Sequence, residues 1–339
     1  MTLCPDGWVE LLSLYHDPEI SKTLQGIARY GAKVGYEGPA QAIRQPYLVS
    51  AKEAPNFIDG DLELNLRKGR VAETRCPGSQ FIISLLGLVP KPLGCFRRIH
   101  HVSAPLHYSV NDHIPSHYGQ LNYALFNEAL DHIWRAGPGA ILIKQDLADA
   151  FRQIHIHPTD WWLFGFDWRG RLFQERYLPF GLWTAPRTFN LFAEGLHWVI
   201  ASRSMAAIIP YLDYFLAIFA AADAAAAHEY EQFFETTCQV HGLRIKVAKN
   251  ALGTTVEFLG LIMDNMTMEA CLPADKTAWG LQLITELAMR KSCSSLDLQR
   301  VTRLLNFLAK VISFGCTFSP RLYDLEQRFP LGGGRSVLR

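Results

Sequence analysis

Two acidic residues interrupt apolar stretches of this sequence, and both are candidates for metal-dependent chemistry. Asp146 ends the stretch AILIKQD, and Asp213 lies within IIPYLDYFLAIF. Burying a carboxylate in apolar surroundings is costly unless it is paired, hydrogen-bonded or bound to a cation. Two such acids on separate buried strands therefore predict a shared divalent metal site. Structural ion pairing of each acid is the alternative that the pattern leaves open.

Helix-like and strand-like segments alternate around the two acids. A helix is predicted in ALFNEALDHIW and a β-hairpin around the glycine turn of DWRGR. The stretch PFGLWTAPRTFNLFAEGLHWVI begins with turn residues and is predicted to continue as an amphipathic helix. A second helix follows Asp213 and ends near Gly242, and VEFLGLIM is predicted to be a further strand. The order strand, helix, strand, helix, strand predicts an α+β fold with a sheet backed by helices.

The flanking regions have weaker patterns. Residues 1–75 contain one helix-like stretch, ISKTLQGIARYGAKVGY, and are interpreted as an extension leading into the main fold. VPKPLGCFRRIHHVS predicts a basic hairpin. Residues 271–329 are predicted to be helical without strands, and the tail GGGRSVLR is predicted to be loose.

Composition limits the class of protein. With 339 residues and 49% hydrophobic residues, the chain can bury a sizeable core, and its formal charge of +1 places any basic surface in local patches. The seven cysteines include no C-x-x-C pair, which fits neither a zinc site nor a disulfide framework. An intracellular location is expected, in the cytoplasm or nucleus. Residues 205–227 are nearly all apolar, but Pro210 and Asp213 argue against a membrane span.

Five stretches around the acids resemble the ordered palm motifs of reverse transcriptases. They are KQDLADAF, LPFGLWTAPRTFN, YLDYFL, HGLRIKVAKN and VEFLGL. Over roughly residues 80–325, the chain resembles the polymerase domain of tyrosine-recombinase (DIRS-type) retrotransposons, including copies found in fungal genomes. The resemblance implies a right-hand polymerase fold of fingers, palm and thumb, with a ferredoxin-like palm sheet backed by helices.

The resemblance also implies a division of the chain. The expected parts are an N-terminal extension (1–75), fingers (76–118 and 152–178), palm (119–151 and 179–270), a helical thumb (271–329) and a loose tail (330–339). The implied activity is template-directed DNA synthesis from dNTPs on a primer paired with an RNA or DNA template. Asp146 and Asp213 match the family positions that hold two Mg²⁺ ions, for which Mn²⁺ could substitute. The oligomeric state is not predicted, and no membrane partner is expected.

Further residues match positions that contact substrate in the family. The implied nucleotide-binding residues are Lys91, Arg97, Asp149, Ala150, Phe151, Phe180, Gly181 and Lys249, and the implied primer grip is Phe258, Leu259 and Gly260. Ordinary alternatives stay open for several of them. Lys91 and Arg97 could be surface cations, Asp149 could be a solvated turn acid, and Phe151, Phe258 and Leu259 could be core residues.

The sequence departs from the family pattern at the third motif. Two adjacent acids are expected there, but Tyr214 follows Asp213. A phenol with an ordinary pKa near 10 is neutral at pH 7 and a poor magnesium ligand. Trp183 also stands where close relatives usually carry a basic residue. The sequence therefore predicts an impaired reverse transcriptase. The alternatives are a catalytically inactive nucleic-acid-binding remnant and, from another class, a metal-binding α+β protein unrelated to polymerases.

Overall fold

The computed structural model describes residues 3–75, 78, 80–91, 94–121, 126–312, 315–327, 329 and 335–337. In these ranges the α-helices are α1 (Pro5–Leu11), α2 (Pro18–Tyr30), α3 (Val49–Glu53), α4 (Pro55–Arg67), α5 (Phe126–Ala136), α6 (Ala185–Ala201), α7 (Ala224–Val240), α8 (Ala274–Ala288), α9 (Ser295–Leu308) and α10 (Pro320–Gln327). The strands are β1 (Ile43–Arg44), β2 (Val71–Glu73), β3 (Ile82–Ile83), β4 (Leu85–Pro90), β5 (Phe96–His101), β6 (Ile141–Asp146), β7 (Gly165–Trp168), β8 (Arg171–Glu175), β9 (Ala207–Tyr211), β10 (Tyr214–Phe219), β11 (Ala251–Gly253), β12 (Thr255–Phe258), β13 (Leu261–Asp264), β14 (Glu269–Cys271), β15 (Ser292–Ser294) and β16 (Arg335–Val337).

These strands form several small sheets. The largest has the order β1-β3-β7-β8-β2, and a four-stranded sheet has the order β11-β6-β10-β9. A three-stranded sheet, β12-β13-β14, and the pairs β4-β5 and β15-β16 complete the set within the described ranges. Antiparallel pairing predominates, and helices are interspersed among the strands. The α+β class predicted from the sequence is confirmed.

The chain forms two compact units. The first comprises Met1–Ala124, Gln145–Ala217 and Ala225–Asn250. The second comprises Leu125–Lys144, Ile218–Ala224 and Ala251–Arg339. Two of the boundaries between the units fall within β6 and β10. The predicted division into fingers, palm and thumb stays a prediction.

A hydrophobic core in the first unit joins α3 and α4 to two sheets. On α4, Ile58 and Leu62 are buried and spaced four apart, as one face of a helix requires. They pack with residues of β4, β7 and β8, including Leu86, Phe166 and Phe173. This core fixes α4 against β4, β7 and β8.

The N-terminal 75 residues contribute more structure than the sequence suggested. One helix is predicted there, but the structure has four, α1 to α4, and it also places β1 and β2 at the edges of the five-stranded sheet. The polar run DGD interrupts the apolar period of α4, and strands of two and three residues are too short to show alternation. The segment is therefore part of the main fold.

The acidic segment around Asp213 forms a hairpin, whereas the sequence predicted one interrupted strand. β9 and β10 pair on either side of the turn Leu212–Asp213, because Leu212 adopts φ +53°, which reverses the chain. Pro210 is tolerated because β9 lies at the edge of its sheet. VEFLGLIM is likewise divided into β12 and β13.

The helices and strands bear on two further expectations from the sequence. The apolar stretch 205–227 is divided among β9, β10 and the start of α7, and across the described ranges no helix has the length and apolarity to cross a membrane. The region predicted to be only helical contains β15, which pairs with β16 in the tail predicted to be loose. Both strands have three residues, too few for a recognisable pattern, and most of that tail lies outside the described residues.

Candidate active site

Asp146 is held at the end of a strand within the four-stranded sheet. The residue is 1% exposed, because β6 is an apolar strand flanked by β10 and β11. The Asp146 N–H donates to Asn250 Oδ1 at 3.2 Å, and the Lys246 N–H donates to the Asp146 carbonyl at 2.7 Å. These bonds fix the backbone at the acid and tie it to the segment that follows α7.

Asp213 is brought beside Asp146 by the β9–β10 hairpin. The Leu147 N–H donates to the Asp213 carbonyl at 2.7 Å, so the turn is bonded to the residue that follows the first acid. Burial raises the pKa of Asp213, and the negative charge of Asp146 adds to that effect. The structure thus brings together the two acids that the sequence singled out.

Lys249 bridges Asp146 and Tyr214, the residue that stands where the second acid of the motif is expected. Its Nζ donates to Asp146 Oδ2 at 3.0 Å and to the phenol oxygen of Tyr214 at 3.0 Å. Partial burial lowers the pKa of Lys249, but its bonds to Tyr214 and Asp146 outweigh that and raise it, so the ammonium persists. Burial also raises the pKa of Tyr214, which keeps the phenol neutral at physiological pH.

A cavity of about 500 Å³ opens above the two acids. The lining includes Asp146, Asp213, Tyr214 and Lys249, together with the cations Lys91, Arg97 and Lys246. Burial lowers the pKa of Lys91, and the positive charges of Arg97 and Lys246 lower it further. Mutually repelling cations around a polar cavity favour a multiply charged anion. Lys91 and Arg97 line the cavity, but both are exposed, so the surface-cation alternative stays open and their contact with nucleotide stays a prediction.

Two phenylalanines form one wall of the cavity. Phe151 and Phe180 meet edge to face with ring centroids 4.9 Å apart. The Arg97 guanidinium lies 4.4 Å from the Phe180 ring centroid, in a cation–π contact. Both rings line the cavity and neither is fully buried, so Phe151 is not simply a core residue. Gly181 follows with φ +120°, and a Cβ there would clash with the His100 carbonyl.

Asp149 is fixed by two arginines that the sequence did not single out. Its Oδ2 accepts from Arg70 at 2.6 Å and lies 3.1 Å from Arg244. Burial would raise the pKa of Asp149, but the hydrogen bond and charge of Arg70 outweigh it and lower the pKa. Asp149 is an exposed turn acid, as that alternative requires, but it is paired with arginine, and its contact with nucleotide stays a prediction. The ion pairs hold the turn at Asp149 and Ala150, where φ is +62° and +40°.

A buried ionic network lies beneath the cavity. Glu175 is 1% exposed and accepts from Arg98 and Arg152, each at 2.7 Å. Arg98 also pairs with Asp61, which links the network to α4. Burial would raise the pKa of Glu175, but the charges of Arg152 and Arg98 lower it to about 2. Sequence patterns missed this network because its members lie on four separate elements.

The predicted primer-grip residues lie in the second unit. Phe258 ends β12 and is buried, as the core-packing alternative requires. Leu259 and Gly260 form the turn before β13, with φ of +50° and +81°. The Gly260 carbonyl accepts from Lys276 Nζ at 2.9 Å. Their contact with a primer stays a prediction.

The donor set fits a divalent ion that arrives with phosphate. Magnesium commonly takes one or two protein carboxylates and completes its shell with water and substrate phosphates. Asp146 and Asp213 supply two carboxylates at one cavity. Across the described residues, no group of three or more Asp, Glu, His or Cys side chains could form a protein cage for a metal. One oxygen of Asp146 is already engaged by Lys249.

The solved structures that are similar in fold include foamy viral enzymes. The protease-reverse transcriptase in complex with double-stranded DNA matches with a TM-score of 0.66 and 18% identity over 99% of this chain. The same viral enzyme bound to an RNA/DNA hybrid matches with a TM-score of 0.66 and 19% identity over the whole chain. This chain spans 58% and 44% of those two proteins, respectively. The likeness confirms a right-hand polymerase fold.

A family model matches the segment that runs from the residues after β4 into β13. Residues 94–263, half of the chain, match the family model "Reverse transcriptase (RNA-dependent DNA polymerase)". No curated protein matches the chain. The matched segment contains Asp146, Asp213, Tyr214 and Lys249, which meet at the cavity. The chain therefore belongs to the reverse transcriptase family.

Proposed function

We propose that this chain is the polymerase domain of a retrotransposon of the DIRS type, with an impaired RNA-directed DNA polymerase activity. The observation that carries the proposal is the pairing of Asp146 and Asp213 at one cavity edged by Lys91 and Arg97. The order of five motifs around these residues supports the retrotransposon assignment. We further propose that the domain acts inside the cell, on a primer paired with an RNA or DNA template.

Each group of side chains in the cavity would have a separate role in nucleotidyl transfer. Asp146 and Asp213 would hold Mg²⁺ together with the triphosphate, and Mn²⁺ could replace it. The metal supplies activation of the primer hydroxyl and neutralisation of phosphate charge. Lys91 and Arg97 would bind triphosphate oxygens through charge-assisted hydrogen bonds. Phe151, supported by Phe180, would pack against the sugar and exclude a 2′ hydroxyl.

Lys249 has two roles that exclude one another. In the family its position lies near the leaving pyrophosphate, where an ammonium could donate a proton to the departing oxygen. Here the ammonium is bound by Asp146 and Tyr214, and it must leave them before it can reach a phosphate. We propose that this competition, together with the missing acid at Tyr214, lowers the activity.

The activity is tested by primer extension. With Mg²⁺ or Mn²⁺ we expect slow incorporation of dNTPs that exceeds the background of an Asp146→Ala variant. Asp146→Ala removes a metal ligand and is expected to leave binding of the primer-template intact, because phosphate contacts made by cations dominate affinity. Incorporation no higher than that of Asp146→Ala would instead favour the inactive nucleic-acid-binding remnant.

Metal affinity of the protein without substrate provides a further prediction. Lys249→Met removes a positive charge 3.0 Å from Asp146 Oδ2. We expect Mn²⁺ to bind about tenfold more tightly or better, because repulsion and competition for the carboxylate are both relieved. Electron paramagnetic resonance of free Mn²⁺ measures this without any turnover.

Lys246→Met is the matched control for that experiment. Lys246 lines the same cavity, but its hydrogen bond to Asp146 is made by the backbone N–H and survives the substitution. We expect a smaller gain in Mn²⁺ affinity, since a charge is lost without release of an Asp146 carboxylate oxygen. An equal gain in both variants would show a general charge effect and would contradict a specific role of Lys249.

A further inference from the structure

A second cavity in the first unit lies apart from the catalytic one. It has a volume of about 470 Å³ and is bordered by α2, the residues that follow it, the turn at residues 116–119 and the start of α6. We name it the α2 groove, with Tyr30, Lys33, His117, Tyr118, His157 and Arg187 as its polar and aromatic lining. It shares no residue with the catalytic cavity. Its α2 side lies before the segment that matches the reverse transcriptase family.

The α2 groove has a surplus of positive charge. Among the described residues, no Asp or Glu lines it, whereas Lys33 and Arg187 both carry a positive charge. On α2 itself, Lys22 pairs with Glu19 and Arg29 pairs with Asp6. Within the described part of the chain, neither Lys33 nor Arg187 has an acidic partner. In a protein of net charge +1, a local surplus of unpaired cations selects an anionic ligand.

Exposed aromatic rings accompany these cations. Tyr30 is 63% exposed and Tyr118 is 41% exposed. The Tyr118 ring is covered over one face by Gly35, where a Cβ would lie 2.7 Å from the ring, and it packs against the His117 ring, whose centroid is 4.3 Å away. Tyr30 is therefore the more accessible ring. An accessible ring beside unpaired cations is the combination with which proteins bind single-stranded nucleic acid, through base stacking and phosphate contacts.

We propose that the α2 groove binds single-stranded nucleic acid, with a base stacked on Tyr30 and phosphates bound by Lys33 and Arg187. An acidic peptide would satisfy the two cations but leave the exposed Tyr30 ring without a planar partner. The inference rests on the proposed function in that the chain handles nucleic acid, but it concerns a surface outside the catalytic cavity. The N-terminal segment is thereby assigned a share in strand binding.

The proposal is tested by the salt dependence of binding of a fluorescent oligothymidylate to the full chain. Each phosphate contact on a single strand contributes about 0.7 to the slope of log K against log salt. Lys33→Ala with Arg187→Ala is expected to reduce that slope by about 1.4. Lys33→Ala alone, at an exposed position, is expected to reduce it by about 0.7, which keeps the test readable if the double variant is unstable.

Matched variants separate the possible ligands. Tyr30→Ala is expected to weaken oligonucleotide binding about fivefold or more through lost stacking. Lys22→Ala with Arg29→Ala removes two cations of α2 that are already paired with acids, and it is expected to change the slope much less. The proposal is overturned if that control matches Lys33→Ala with Arg187→Ala, or if Tyr30→Ala binds normally. It is also overturned if poly-glutamate competes as well as oligothymidylate, which would identify an acidic protein partner. Binding is measured without dNTPs, so a failure of primer extension leaves this outcome readable.

Discussion

Tyr214→Asp is expected to raise the rate of primer extension by about 10²–10³-fold, the usual effect of one preorganised electrostatic contact at a reacting centre. The substitution restores the second acid of the hairpin that carries Asp213. It also removes the phenol that helps to hold Lys249, while it adds a carboxylate beside the cavity. Single-turnover incorporation at saturating Mg²⁺ and dNTP measures the chemical step.

Tyr214→Asn separates the charge of the new acid from the loss of the phenol. Asparagine has nearly the size of aspartate but carries no charge, so we expect at most a small gain in rate. A folded Tyr214→Asp protein that extends primers no faster than the original chain would show that the missing acid is not the cause of impairment. Equal gains in both variants would assign the effect to the release of Lys249.

Glu175→Ala is expected to lower the free energy of unfolding by about 3–5 kcal/mol, because it leaves the buried guanidinium groups of Arg98 and Arg152 without their shared carboxylate. Urea unfolding followed by tryptophan fluorescence measures the loss. Glu73→Ala is a suitable control, because it breaks the exposed pair with Arg171. Exposed ion pairs contribute little, so a similar loss in both variants would contradict the importance of burial.

The same network gives the fold a definite dependence on pH. The pKa of Glu175 is about 2 in the folded chain, against an ordinary value of 4.5. A carboxyl group whose pKa is lowered by folding stabilises the fold above its ordinary pKa, and that stabilisation is lost as the pH falls from about 4.5 towards 2. Glu175→Ala should therefore flatten the decline of stability across this acidic range.

The sequence revealed single residues better than it revealed their partners. Asp146 and Asp213 were identifiable because an acid in an apolar run is unusual, and motif order then assigned Lys249 to the same site. The bond between Lys249 and Tyr214 joins residues 35 positions apart, and the pair Arg70–Asp149 spans 79. Periodicity reports which face of an element is buried, but it carries no information about which distant charge meets another.

Short elements and turns account for the other differences between the predicted and the observed fold. The hairpin turn at Leu212 depends on a left-handed backbone at leucine, which residue preferences would not select. The edge strands β1 and β2 contain two and three residues, and only their neighbours in the sheet define them. Long apolar or amphipathic segments such as α6 were predictable because their burial pattern repeats over many residues.

The left-handed backbone at Ala150 and Leu212 has a consequence for how this chain can evolve. Such a conformation costs a non-glycine residue about 1–2 kcal/mol, and domains commonly have only about 5–15 kcal/mol of net stability. Both residues line the cavity that holds Asp146 and Asp213, so the cost falls at the candidate site. The chain therefore has a smaller stability reserve against random substitution than its packing alone would give it, and relatives that keep these turns should tolerate fewer destabilising substitutions.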